Sequence, residues 1–153
     1  MKKIALIGMA IVLFSNFVFG AFVSLTGDAE LDTALGNINI EAKADLSSFT
    51  ADISVTYNIP QTEVTKLITV ENMEPADVFM VYEIAQADNK PVSEVTAVYK
   101  KNKGKGWGAV AKELGIKPGS EAFKKMKEKS KAKAEKKEKK NNSEKKTENG
   151  KKK

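Results

Sequence analysis

The sequence predicts an all-α protein, a small array of helical hairpins followed by a disordered Lys-rich tail. Three observations carry this reading. A helix stop-and-start signal repeats at a spacing of about 31 residues, apolar residues recur at helical spacing, and the composition changes abruptly after Phe123. The first copy of the repeat is Asn58-Ile59-Pro60-Gln61-Thr62-Glu63-Val64, and the second is Asn89-Lys90-Pro91-Val92-Ser93-Glu94-Val95. A weaker third copy is Ile116-Lys117-Pro118-Gly119-Ser120-Glu121-Ala122. In each, a turn residue (Asn or Gly) ends one helix and Pro blocks its continuation. Thr or Ser is placed to cap the next helix, and Glu sits in its first turn, where the helix dipole favours an anion. Three hairpins in succession follow from the three copies.

Asp28-Ala29-Glu30-Leu31-Asp32 superficially matches the start of a calcium loop. The sixth position is Thr33 where Gly is required, and the twelfth is Asn39 where Glu is required. It is therefore the acidic first turn of a helix, expected to end at Gly36. From Ile38 to Tyr57 two periods compete. Ile38, Ile40 and Ala42 alternate like a strand, as do Ala51, Ile53 and Val55. Leu31, Leu35, Ile38, Ala42, Phe49, Ile53 and Tyr57 fit a helix instead. Helix is preferred, because the repeat aligns Ile53–Asn58 with Ile84–Asn89, and the second segment follows a clear helix. An α+β fold with a β-hairpin over 38–57, turning at Ser47-Ser48, is the alternative. Pro75 opens a helix through Val78, Val81, Tyr82 and Ala85 that is apolar nearly all round, so it should be the central element. A helix after Pro91 carries Val92, Val95, Val98 and Tyr99. A short one runs from Trp107 to Leu114 and stops at Gly115, with Trp107 read as a core residue. The last helix should fray near Lys137, leaving Asn141–Lys153 disordered for want of apolar side chains.

Before this domain comes Met1-Lys2-Lys3 and an apolar run from Ile4 to Phe14, continued by Phe17–Gly20. A short cationic start and an apolar stretch of that length form a secretory signal peptide of bacterial type. Val18 and Gly20 supply small residues for cleavage after Gly20. An uncleaved membrane anchor is the alternative, since Ile4–Val23 barely reaches the ~20 residues a spanning helix needs. The expected organisation is a signal peptide at 1–20, a helical domain at 27–127 and a low-complexity tail at 128–153. The expected location is extracytoplasmic, in the periplasm or secreted.

Charge separates domain from tail. Residues 21–120 hold 9 Lys against 14 acidic residues, whereas residues 121–153 hold 15 Lys against 6 Glu. The chain has no His and no Cys. That removes Ser-His and Cys-His nucleophile pairs, the commonest zinc ligands and any disulfide. No cofactor, metal site or catalytic residue is implied, and the chain is read as non-enzymatic.

Two segments are candidates for binding. Lys101, Lys103, Gly104, Lys105, Gly106, Trp107 and Gly108 could form an anion site, with Gly-rich backbone baring N–H groups beside Lys charge. It is neither a Walker loop nor a dinucleotide fingerprint. The competing reading is a flexible link ahead of a short helix. In the tail, Lys136, Lys137, Lys139, Lys140, Lys145, Lys146, Lys151, Lys152 and Lys153 could attract anionic membrane or envelope polymers without specificity. A protein partner for the helical array is the alternative. The helix–turn pairs at Ile84–Val98 and Val110–Ile116 have the pattern of a helix-turn-helix DNA reader, but any tight helix pair gives that pattern. An exported chain has no DNA to read.

The run Gly104-Lys105-Gly106-Trp107-Gly108-Ala109-Val110-Ala111-Lys112-Glu113-Leu114-Gly115-Ile116-Lys117-Pro118-Gly119-Ser120, with Glu74-Pro75-Ala76-Asp77-Val78, resembles a family of small exported bacterial helical proteins of uncharacterised function. The resemblance spans Gly27 to Lys127. It implies an all-helical domain behind a signal peptide, with a Lys-rich end. Relatives often carry a His soon after Pro-Gly-Ser. Here Lys124 and Lys125 follow Phe123, so a metal role tied to that His does not carry over.

Overall fold

A computed structural model describes residue 22 and residues 24–150, the side chains of 137, 138 and 140–150 excepted. The predicted signal peptide lies outside the described residues. Seven helices follow one another: α1 (Ala29–Ala44), α2 (Leu46–Tyr57), α3 (Gln61–Thr69), α4 (Pro75–Ala87), α5 (Val92–Lys101), α6 (Trp107–Glu113) and α7 (Glu121–Gly150). The protein is all-α, and no strand occurs among the described residues.

The β-hairpin alternative fails on burial. Alternation would have turned Ile38, Ile40 and Ala42 to one side, but α1 buries Ile38 and Ala42 and leaves Ile40 70% exposed. The helical set Leu31, Leu35, Ile38, Ala42, Phe49 and Ile53 is the buried one. The break falls at Asp45, which ends α1 and caps α2 by accepting from the Ser48 N–H at 3.0 Å. The helix beginning after Asp28 does not stop at Gly36. It continues two turns to Ala44, because Gly36 keeps helical geometry and no αL turn is formed there. Its start is as the acidic turn requires: Asp28 Oδ1 accepts from the Leu31 N–H at 3.0 Å.

The repeat proves to be a helix-ending device. Asn58 (φ 52°), Asn89 (φ 50°) and Gly115 (φ 81°) all adopt the left-handed conformation. In each copy the next residue's N–H reaches back five residues: Ile59 to Ser54 at 3.0 Å, Lys90 to Ala85 at 2.9 Å and Ile116 to Ala111 at 2.8 Å. This is the Schellman pattern that satisfies the last carbonyls of a helix. The expected Thr and Ser caps are corrected in two copies. Pro60 and Pro91 themselves occupy the cap position with no side-chain bond, so Thr62 and Ser93 fall inside the first turn. Only Ser120 caps, accepting from the Phe123 N–H at 3.3 Å. Glu63, Glu94 and Glu121 do lie in their first turns.

The first two copies build hairpins, α2 with α3 and α4 with α5. The third does not. There α6 lies on α5, while α7 departs to run along α1 and α4, and the contact of α1 with α7 is the most extensive in the molecule. As expected, α4 is central: every residue from Pro75 to Ala85 is buried.

The boundary at 127 needs correction. Met126, Ser130 and Ala134, one face of α7 at i, i+4 and i+8, are buried, so the packed domain extends at least to Ala134. The helix then continues past Lys137 to Gly150, where a disordered tail was expected. Alternating Lys, Glu and Ala carry good helix propensity even without a core to join.

Candidate functional site

The Gly-rich loop is a socket for the chain's own N-terminal segment. The N–H of Trp107 donates to the Ser24 carbonyl at 2.7 Å, and that of Gly108 to the Leu25 carbonyl at 2.8 Å. These are the donors an anion site would have used. The glycines permit the approach: a Cβ on Gly106 would lie 2.3 Å from Leu25 Cβ, and one on Gly108 would lie 3.1 Å from the Leu25 carbonyl oxygen. The crossing segment is pinned from its other side by Asp32. One Asp32 oxygen accepts from the Ser24 hydroxyl at 2.7 Å, the Thr26 hydroxyl at 2.8 Å and the Thr26 N–H at 2.8 Å.

Trp107 is buried, 2% exposed, as the sequence implied. Its ring stacks on Tyr99 with centroids 5.2 Å apart. Both rings point their polar atoms at Asp77 on α4. The Trp107 indole N–H donates to Oδ1 at 2.7 Å, and the Tyr99 hydroxyl donates to Oδ2 at 2.6 Å. Burial pushes the Asp77 carboxyl above its ordinary range, and these two donors pull against that shift. The Tyr99 hydroxyl is raised by burial and by its bond to Asp77. Lys101 is drawn off to Glu113 at 2.7 Å. Lys103 and Lys105 are exposed, and Gly104 takes a left-handed turn at φ 89°. The anion-site reading of Lys101, Lys103, Gly104, Lys105, Gly106, Trp107 and Gly108 is thus replaced by a structural latch. The Trp107 and Gly108 N–H donors are spent on the chain itself, and the buried acidic side chain beside the loop is Asp77.

The lysines of α7 form two groups. In the docked half, Lys127 bridges Asp28 at 2.8 Å and Glu30 at 2.7 Å, and Lys131 meets Glu30 at 3.0 Å. Lys129 lies 3.4 Å from Glu83, and Lys133 lies 3.6 Å from Asp52. The Lys127 ammonium holds the Asp28 carboxyl below the usual range, and Asp28 in turn raises Lys127. Beyond Ala134 the chain carries nine further Lys against four Glu, counting Glu135. Lys136 and Lys139 are exposed, and Lys137, Lys140, Lys145 and Lys146 continue the helix. Lys151, Lys152 and Lys153 lie outside the described residues. From Ala134 to Gly150 the helix advances roughly 24 Å, at 1.5 Å per residue.

Sequence reasoning missed Asp77, Glu83, Tyr57 and Asp32 as structural or site residues. Asp77 and Glu83 had a visible signal, being the two acidic side chains within an otherwise apolar helix. Ser24 and Leu25 had none, because their role depends on a loop more than 80 residues away.

Among the described residues, no group of three or more carboxylates stands close enough to hold a metal ion, and no helix is long and apolar enough to cross a membrane. No protein-family model, curated protein or solved structure matches the chain.

Proposed function

We propose that this is a non-enzymatic binding protein that works outside the cytoplasm, where the distal part of α7 engages anionic envelope components such as lipid headgroups. The observation that carries the reading is the division of the α7 lysines. Lys127, Lys129, Lys131 and Lys133 have acidic partners at the start of α1, on α2 and on α4, while from Lys136 onward nine Lys accompany only three Glu in the chain itself. A helix held at one end by packing and ion pairs presents its surplus charge without sacrificing any domain contact. Lys, as a compact point charge, suits diffuse attraction to a charged surface better than bidentate recognition of one group. Export is proposed from the Lys2–Gly20 sequence pattern. The lack of His and Cys supports a non-enzymatic role.

The test is sedimentation with phosphatidylglycerol vesicles, comparing the full chain with one lacking Asn141–Lys153. The deletion removes five Lys, each contributing up to ~1 kcal/mol near an anionic surface, so binding should fall steeply. It should also fade as salt rises from about 0.1 M to 1 M, where the Debye length shrinks from ~10 Å to ~3 Å. Equal binding by both chains, or binding indifferent to salt, would move recognition onto the helical array and favour a protein-interaction module.

A further inference from the structure

The segment ahead of α1 is fastened to three parts of the fold. Its Ser24 and Leu25 carbonyls accept from the Trp107 and Gly108 N–H groups of the Gly-rich loop and α6. Asp32 of α1 holds the Ser24 hydroxyl and both the hydroxyl and the N–H of Thr26. Thr26 Oγ1 also accepts from the Asp28 N–H at 3.1 Å, and Asp28 is bonded to Lys127 of α7 at 2.8 Å. Ser24 is 5% exposed, and Phe22 packs, partly buried, against the core. Leu25 is held at φ 44°, a left-handed conformation that a bulky residue keeps only where its surroundings fix it. The segment is therefore neither extended nor loose.

These contacts begin two residues past the expected cleavage point. A stretched chain spans at most about 3.5 Å per residue, so the Gly20–Ala21 bond falls within about 7 Å of the packed Phe22 backbone. A peptidase has to draw the residues flanking its target bond into its own cleft. Here that means lifting Phe22, Ser24 and Leu25 off the domain and breaking the bonds to Asp32, Trp107 and Gly108. Cutting of a folded chain at such a point proceeds only through the open fraction.

We propose that docking of residues 22–26 shields the Gly20–Ala21 bond, so that removal of residues 1–20 has to precede closure of the fold. This inference rests on the export reading. The reaction is hydrolysis by the host's signal peptidase. Water adds across the Gly20–Ala21 peptide bond, leaving a carboxyl on Gly20 and an amine on Ala21. A chain cut first closes its N-terminal segment over Gly106 and Gly108. A chain that folds first keeps residues 1–20, and their apolar run holds it at the membrane. Asp32 is the positioning residue that sets how readily the segment lifts.

The test is digestion of the full-length precursor, folded in detergent micelles, by signal peptidase, with the Ala21 N-terminus read by intact mass. A peptide of residues 1–32 carries the same bond with no domain behind it. The peptide should be cut at least about tenfold faster than the folded precursor, since the latter is cut only when open. Asp32→Ala removes three bonds to the segment and should speed cutting severalfold, with circular dichroism showing that the helices remain. Should it fail to fold, Thr26→Val, which removes only hydroxyl bonds, should speed cutting about threefold. Val64→Ala opens a cavity in α3, which packs on α2 and α4, and should leave the rate within about twofold because it weakens the fold without loosening the segment. The proposal is overturned, with export left standing, if the folded precursor is cut as fast as the peptide. The same holds if neither segment variant speeds cutting, or if Val64→Ala speeds it equally. A peptide that signal peptidase leaves uncut overturns the export reading and this inference with it.

Discussion

Asp77 is the third residue of α4, and its surroundings turn a costly position into a fixed one. A carboxylate so buried gains from the free N–H end of its helix and from the Trp107 and Tyr99 donors. Its folded pKa is nevertheless raised from the ordinary 3.8, so the folded state binds a proton that the unfolded state does not hold in the window just above 3.8. Stability from this group is therefore fully present below its unfolded pKa and is lost as pH rises through the higher folded value. Relative to Asp77→Asn, the wild type should gain stability as pH falls through that window. Urea melts of both proteins across the acid range measure it, and parallel pH curves would contradict the assignment. The burial of Trp107 was legible because a lone Trp beside a helix start has few other places to go. Its partner was not, since hydropathy averages α4 into an apolar rod and hides the single acid that organises three elements.

At the scale of elements, the sequence spoke most clearly where backbone conformation is dictated by residue type. Asn58, Asn89 and Gly115 announced helix ends, and the ends are there. The repeat could not say what each end leads to, so the third expected hairpin became a departure of α7 toward α1. The Gly-rich loop shows the same limit. Its glycines were visible, but whether they serve a ligand or a neighbouring backbone depends on where Ser24 and Leu25 lie. Two substitutions separate these roles. Gly104→Ala meets no atom within 4 Å and should bear only the left-handed penalty of roughly 1–2 kcal/mol. Gly106→Ala meets a backbone conformation (φ 80°, ψ 171°) essentially confined to Gly and also drives a Cβ into Leu25, so it should be the more destabilising by at least about 1 kcal/mol, as overpacking is. Hydrogen exchange at the Trp107 and Gly108 amides should rise in Gly106→Ala alone. Equal effects in the two variants would mean the N-terminal segment contributes nothing to the loop.

For the whole molecule, the informative error concerns α7. Its composition reads as solvated charge because only Phe123, Met126 and scattered Ala are apolar, yet Met126, Ser130 and Ala134 close one side of the core and four lysines pair with acids on other helices. Small residues on the inner face let the helix approach closely, and hydropathy gives such a face almost no weight. The acidic excess of residues 21–120 was the available clue, since it calls for a basic partner and the chain supplies one. A chain ending at Ser120 should lose its cooperative thermal transition, because α1 would lose the helix with which it makes its most extensive contact. A chain ending at Lys140 should melt within about 2 °C of the full protein, as the removal of residues with no apolar surface to bury implies. Circular dichroism melts of the two truncations decide the matter. A cooperative transition in the shorter chain would show that α7 is not needed to close the core.

The pairing of α1 with α7 also has a consequence in time. A polypeptide leaves the ribosome N-terminus first, and α1 emerges with its apolar stripe already complete. Its principal partner is α7, made after the other six helices described, and the Ser24 and Leu25 carbonyls likewise wait for Trp107 and Gly108. Closure therefore depends on contacts of long sequence separation, whose entropic cost falls before any reward is collected. The growing chain can form its local α2–α3 and α4–α5 hairpins, but it stays open along α1 until α7 has been made. During that interval any factor that recognises unfolded, apolar nascent chain has α1 within reach.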